Sequence, residues 1–169
     1  GTTLADTAIA DGEHVRLTAQ GYYYGGPLGV MSEYVRSRQK VASGGSHERV
    51  AIDTWQVLAQ WVITGDDATY KGVAPRHPFD PAKGDWGAFD IAVRASSLRL
   101  PGADVYPLGL ADPTKSANQI LSLGGGLDWT LNKNIRVVVD YDHDSYNRGA
   151  KTGNKPDENS VVARFQSAF

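Results

Sequence analysis

Four arginines fall on the polar positions of alternating segments: Arg16, Arg94, Arg136 and Arg164. A guanidinium stays charged and binds a phosphate or carboxylate in a two-pronged fork. Arginines on one polar face therefore suit contact with small anions. The same rows carry Glu33, Asp90, Asp128, Asp140 and Asp142, so the rival chemistry is neutralisation within the wall. Folding the last hairpin about its loop puts Asp140 opposite Arg164. A tight turn at Asn132–Asn134 brings Asp128 near Arg136. For those two pairs the preferred reading is a stiffened wall. Arg16 and Arg94 have no sequence-local partner and are the better candidates for touching an anion.

Other chemistries are weakly represented. Asp140, Asp142 and Asp144 are spaced like the start of a calcium loop, but the sixth position is Ser145 and the twelfth is Lys151, where Gly and Glu are needed. His14, His47, His77 and His143 lack zinc-ligand spacing. Gly124-Gly125-Gly126 lacks the spacing and the following helix of a phosphate loop. Small residues there let a loop or another side chain lie against the sheet. No serine sits in a nucleophile-elbow motif, so an enzyme is not expected. No metal or cofactor is implied.

The elements that must position these residues are strands. Seven segments alternate: Glu13–Gly25, Leu28–Val41, Val50–Thr64, Trp86–Leu100, Asn118–Leu131, Ile135–Tyr146 and a terminal strand from Glu158. No helix is expected. The clearest apolar row is Trp55, Val57, Ala59, Trp61 and Ile63, with Gln56, Leu58, Gln60, Val62 and Thr64 opposite. Tyr23, Tyr34, Phe89, Trp129, Tyr141, Phe165 and the final Phe169 also fall on apolar rows. Each segment has roughly the 9–11 residues that a tilted strand needs to cross a bilayer. Aromatics near the strand ends match an interfacial girdle. The reading is an all-β, antiparallel transmembrane barrel segment of about seven strands. Its runner-up is a soluble all-β binding or adhesion domain that buries the Trp rows between two sheets. A third is a purely structural or adhesive barrel.

Composition agrees with the first reading. The chain has 169 residues, 19 Gly, 8 Tyr, 4 Trp and no Cys. The missing cysteines exclude disulfides and thiolate chemistry, and fit a periplasm-exposed protein. The net charge of −2 argues against nucleic acid as a partner. Mean hydropathy is below zero, as alternating strands require. The chain starts without Met in polar, loop-like sequence, as a piece of a longer chain would. One connection is unusually long: Gly65–Asp85 (GDDATYKGVAPRHPFDPAKGD). By parity it lies at the same end as the C-terminus. A stretch this long either folds into the lumen or caps its mouth, where Lys71, Arg76 and Lys83 meet anions, or is a solvated linker.

Four stretches together carry a family resemblance: GYYYGGPLGVMSEYVRS (21–37), WQVLAQWVITGDDATYKGVAPRHPFDP (55–81), GAFDIAVRASSLRL (87–100) and GLDWTLNKNIRVVVDYDH (126–143). In order and spacing they resemble the C-terminal half of the phosphate-selective porin O and P family of Gram-negative outer membranes. The resemblance implies a sixteen-stranded porin barrel, of which residues 1–169 form the C-terminal part with the N-terminal strands missing. It implies a homotrimer in outer-membrane lipid that passes small anions, with phosphate or polyphosphate as the substrate. It also implies that the barrel-assembly machinery engages the C-terminal strand. The family's phosphate-lining residues lie mostly outside the matched stretches, so none is carried onto a numbered position.

Overall fold

The computed structural model describes residues 9–43, 46–107 and 109–168. They form one antiparallel sheet in sequence order: β1 (Ile9–Gly25), β2 (Leu28–Ser43), β3 (Ser46–Val62), β4 (Ala88–Arg99), β5 (Ala117–Thr130), β6 (Ile135–Arg148) and β7 (Glu158–Ser167). All seven expected strands are present, with ends shifted by a few residues. Ile63, Thr64 and Trp86 fall outside the strands expected to contain them. The chain is all-β as expected, with a single helical turn α1 (Gly102–Val105) between β4 and β5. The terminal Phe169 lies outside the described residues.

Turn chemistry fixes the register. Gly26 has φ +55° between β1 and β2, where Gly25 pairs with Leu28. This left-handed conformation is open to glycine at little cost. Between β5 and β6, the Asn132 side chain accepts the amides of Asn134 (2.9 Å) and Ile135 (3.0 Å). Such a side-chain turn stands in for a backbone one. Because side chains alternate with period two, each register assigns every residue to a face.

One face is apolar from β1 to β7. Along single cross-strand rows, Tyr34 meets Trp55, Trp61 meets Ile91, Ile91 meets Leu127, Leu127 meets Val139, and Val137 meets Phe165. No second sheet lies over this face among the described residues. Leu17, Tyr23, Trp61, Val93, Leu123 and Phe165 are all at least half exposed. In water, each exposed Val, Leu or Phe would forgo roughly 1.5–3 kcal/mol of burial. The runner-up, a soluble sandwich, needs a second sheet over the Trp rows, and the described residues contain none.

Aromatic rings cluster where the apolar band ends. Phe89 stacks on Trp129 at 5.6 Å between ring centres, and Phe79 meets Trp129 edge-on at 5.7 Å. The Trp129 indole N–H donates to the Trp86 carbonyl at 2.7 Å. Toward the opposite end, the Tyr34 hydroxyl donates to Asp53 and that of Tyr141 to Asn159, each at 2.7 Å. Rings with an apolar body and a bonded polar tip suit the two membrane–water boundaries.

Candidate functional site

The polar face is built around four strands that hand charge to one another. At the turn end, Arg136 on β6 grips Asp128 on β5 with Nε (2.7 Å) and Nη2. Asp128 lies directly opposite Asp90 on β4, and Asp90 accepts a hydrogen bond from Gln60 on β3 at 2.7 Å. Asp90 is 1% exposed and Asp128 8%. The expected Asp128–Arg136 pair therefore forms, within a larger network. Forked geometry and low exposure make it more than a surface ion pair.

Nearer the middle of the sheet, Arg94 on β4 reaches across β5 to Asp142 on β6, Nη2 to Oδ1 at 2.6 Å. Gly124 lies between them in the register. A Cβ at Gly124 would collide with the Asp142 carboxylate, and one at Gly126 with that of Asp140. The glycine run thus floors a trough of about 210 Å³ walled by Arg94, Asp140 and Asp142. Arg94 has no sequence-local partner, as its place in the sequence implies. Its partner is 48 residues away in sequence, two strands over, which no local reading finds.

The Asp140–Arg164 pairing also needs correction. Arg164 lies opposite Val138, and Asp140 lies opposite Val162. The loop between β6 and β7 sets a register two residues from the expected one. Arg164 and Arg16 make no ion pair with any described residue. Arg16 is exposed and faces Ser37, which bonds His14 Nε2 at 2.8 Å.

The long connection folds back toward this face. The Ala68 amide donates to the Gly26 carbonyl at 2.8 Å, and the Phe79 amide to the Leu131 carbonyl at 2.7 Å. The segment therefore bridges the β1–β2 and β5–β6 turns. Tyr70 packs on Tyr22 of the polar face, ring centres 5.5 Å apart. Buried Asp66 accepts the Thr64 hydroxyl (2.7 Å) and the Arg76 amide (2.8 Å), closing the loop on itself. A solvated linker would have neither anchor. Arg76 pairs with Asp67 at 3.0 Å and Lys83 with Asp80 at 2.8 Å, while Lys71 is exposed without an ion pair among the described residues. Sequence reasoning missed Gln60, Asp66, Tyr22 and Tyr70. Two tyrosines on strand and connection gave no signal of proximity.

The Ser37–His14 contact on this face (2.8 Å) is exposed, and among the described residues no carboxylate bonds that imidazole. Among the described residues, no three or more His, Asp or Glu side chains gather as a metal site. What it can do is present charge to a water-filled space. No curated protein matches the chain. A family model described as phosphate-selective porin O and P matches residues 2–169. With an apolar outer face, a charged inner face and a match over the whole chain, the protein belongs to the phosphate-selective porin O and P family.

Proposed function

We propose that the chain forms one wall of an outer-membrane channel that passes small anions, phosphate among them, by passive diffusion. The observation that carries this is the division of one sheet into an uncovered apolar face and a charged face. Such a sheet separates lipid from water. Permeation then needs no chemistry, only charge and width.

In this reading the basic side chains of the charged face do unequal work. Arg94 and Arg136 spend their charge on Asp142 and Asp128. Arg16, Arg164 and Lys71 remain to meet an anion, with Arg76 secondary because Asp67 shares it. The Gly65–Asp85 connection narrows the water path at the turn end through Tyr70. Further strands, supplied by a longer parent chain, close the barrel, and three copies assemble in the membrane. The β7 strand is the segment through which assembly machinery inserts it.

The test uses the complete protein in a planar bilayer. In a chloride salt gradient the reversal potential should report anion selectivity, and added phosphate should block the chloride current. A cation-selective or phosphate-insensitive current would leave the porin and remove this substrate.

A further inference from the structure

The apolar outer face does not run to the strand ends. Past the Tyr34–Trp55 pair, the outward positions of β2–β4 become Arg36, Arg38, Lys40, Arg49 and Arg99. Two residues along a strand span roughly 6.8 Å. The first of these charges therefore stands one pleat beyond the aromatic pair, at the depth of lipid headgroups. They lie at the end of the β2–β3 connection, away from the β1–β2 and β5–β6 turns.

Among the described residues the outward carboxylates that accompany these bases are Asp53, Glu13 and Asp11, and Asp11 is taken by His47 at 2.6 Å. Asp53 Oδ1 is already taken by the Tyr34 hydroxyl at 2.7 Å. Arg36 Nε approaches the same oxygen only to 3.5 Å and, though buried, has no hydrogen-bond partner. Arg99 lies opposite Asp53 in the register without an ion pair among the described residues. Lys40 comes no nearer to Glu13 than 4.0 Å. Lys40 also lies directly opposite Arg49. Like charges directly opposite in an antiparallel pair are destabilising. With Arg38 beside them they line one outward concavity. An orphaned donor and a like-charge pair are both relieved by an anion held between these side chains.

The geometry points to a binding site for the phosphate groups of a membrane lipid, formed by Arg36, Arg38, Lys40, Arg49 and Arg99. Clustered basic side chains at a membrane surface attract anionic headgroups, and guanidinium forks fit phosphate oxygens. The acyl chains of the same lipid then lie along the Tyr34–Trp55 face below. The site rests on the apolar face meeting lipid and is independent of what crosses the pore.

The experiment takes the complete protein in detergent and measures its affinity for diphosphoryl lipid A, for the dephosphorylated lipid and for inorganic phosphate. The wild type should bind the diphosphorylated lipid at least tenfold more tightly than the dephosphorylated one. Arg38→Gln, an exposed side chain whose loss leaves the fold intact, should weaken binding severalfold. Arg36→Gln/Arg38→Gln/Arg49→Gln should abolish the preference, while inward Arg16→Gln leaves it unchanged. Equal binding of both lipids, or full affinity in Arg38→Gln and the triple variant, would overturn the site. So would competition by inorganic phosphate at the lipid's own concentration. Dissociation of the triple variant's oligomer with lipid binding intact would place a neighbouring protomer on this patch instead.

Discussion

Arginines on the inner faces of β4–β6 and of β1 are the same side chain in opposite circumstances. Arg136 and Arg94 are each closed by a carboxylate from a neighbouring or next-neighbouring strand. Arg16 faces a serine that is itself bonded to a histidine. The difference lies in what the intervening positions allow. On β5, Gly124 and Gly126 leave room for β6 carboxylates to lie over the sheet and reach back toward β4. On β2, the positions facing β1 carry Ser37, Val35 and Glu33, and Glu33 is occupied by Gln56 at 3.1 Å. Thus one stretch of wall is welded and the other is left electrostatically open.

The strongest way to break this contrast is to remove a welded acid. Asp128→Ala leaves Arg136 half-buried and its fork empty. It should destabilise the folded protein by about 3 kcal/mol, the low end for breaking a buried pair. Urea unfolding in detergent would read this as a lowered midpoint with an unchanged slope. Asp128→Ala with a wild-type midpoint would mean the network is ornamental.

Next in size is the glycine floor. In Gly124→Ala the new methyl runs into the Asp142 carboxylate. The acid must move off Arg94 or the strands must spread, costing about 1–3 kcal/mol, as overpacking does. Adding Asp142→Asn cannot relieve the clash, since the amide has the same shape. Adding Asp142→Ala should relieve it. Additive losses in that double variant would show that the clash is elsewhere.

Selectivity sharpens the comparison with a smaller energy. Arg16→Gln removes an open charge and should weaken phosphate block about tenfold, equivalent to ~1.4 kcal/mol. Arg94→Gln/Asp142→Asn removes a neutralised pair of similar shape and should leave block and reversal potential near wild type. If the double variant loses more selectivity than Arg16→Gln, the welded pair itself lies on the path.

These residues also show how far sequence reaches. Face assignment was legible because period-two alternation is local: Trp55, Val57 and Trp61 share a face whatever they pair with. The Asp128–Arg136 pair was legible for the same reason, since a tight turn folds neighbours in sequence together. Arg94–Asp142 was not, because it depends on the registers of two hairpins at once. Asp140–Arg164 failed on a single long loop, whose length does not dictate the register. The glycine run signalled that something lies over β5, but not which side chain. The outward basic cluster was visible only as isolated letters until β2, β3 and β4 were laid side by side.

An acid on a connection supplies the weakest term of the contrast, a charge satisfied by its own neighbours in water. Asp112 Oδ1 accepts the Thr114 amide at 2.8 Å and the Thr114 hydroxyl at 2.7 Å, with Lys115 Nζ 3.4 Å from the other oxygen. These bonds, led by the Thr114 hydroxyl, hold its carboxyl below the ordinary aspartate value. The folded group therefore titrates below the unfolded one. The turn's stabilisation is complete above the unfolded value and is lost as pH falls through the folded one. Solvent screens this exposed group, so global stability should hardly move. The Thr114 amide resonance should shift during an acid titration with a midpoint below the aspartate range, and Asp112→Asn should remove that titration. A midpoint at or above the ordinary value would mean that the two Thr114 bonds do not hold in solution. A local motif legible as D-P-T-K in sequence would then be less reliable than the long-range pairs on the sheet.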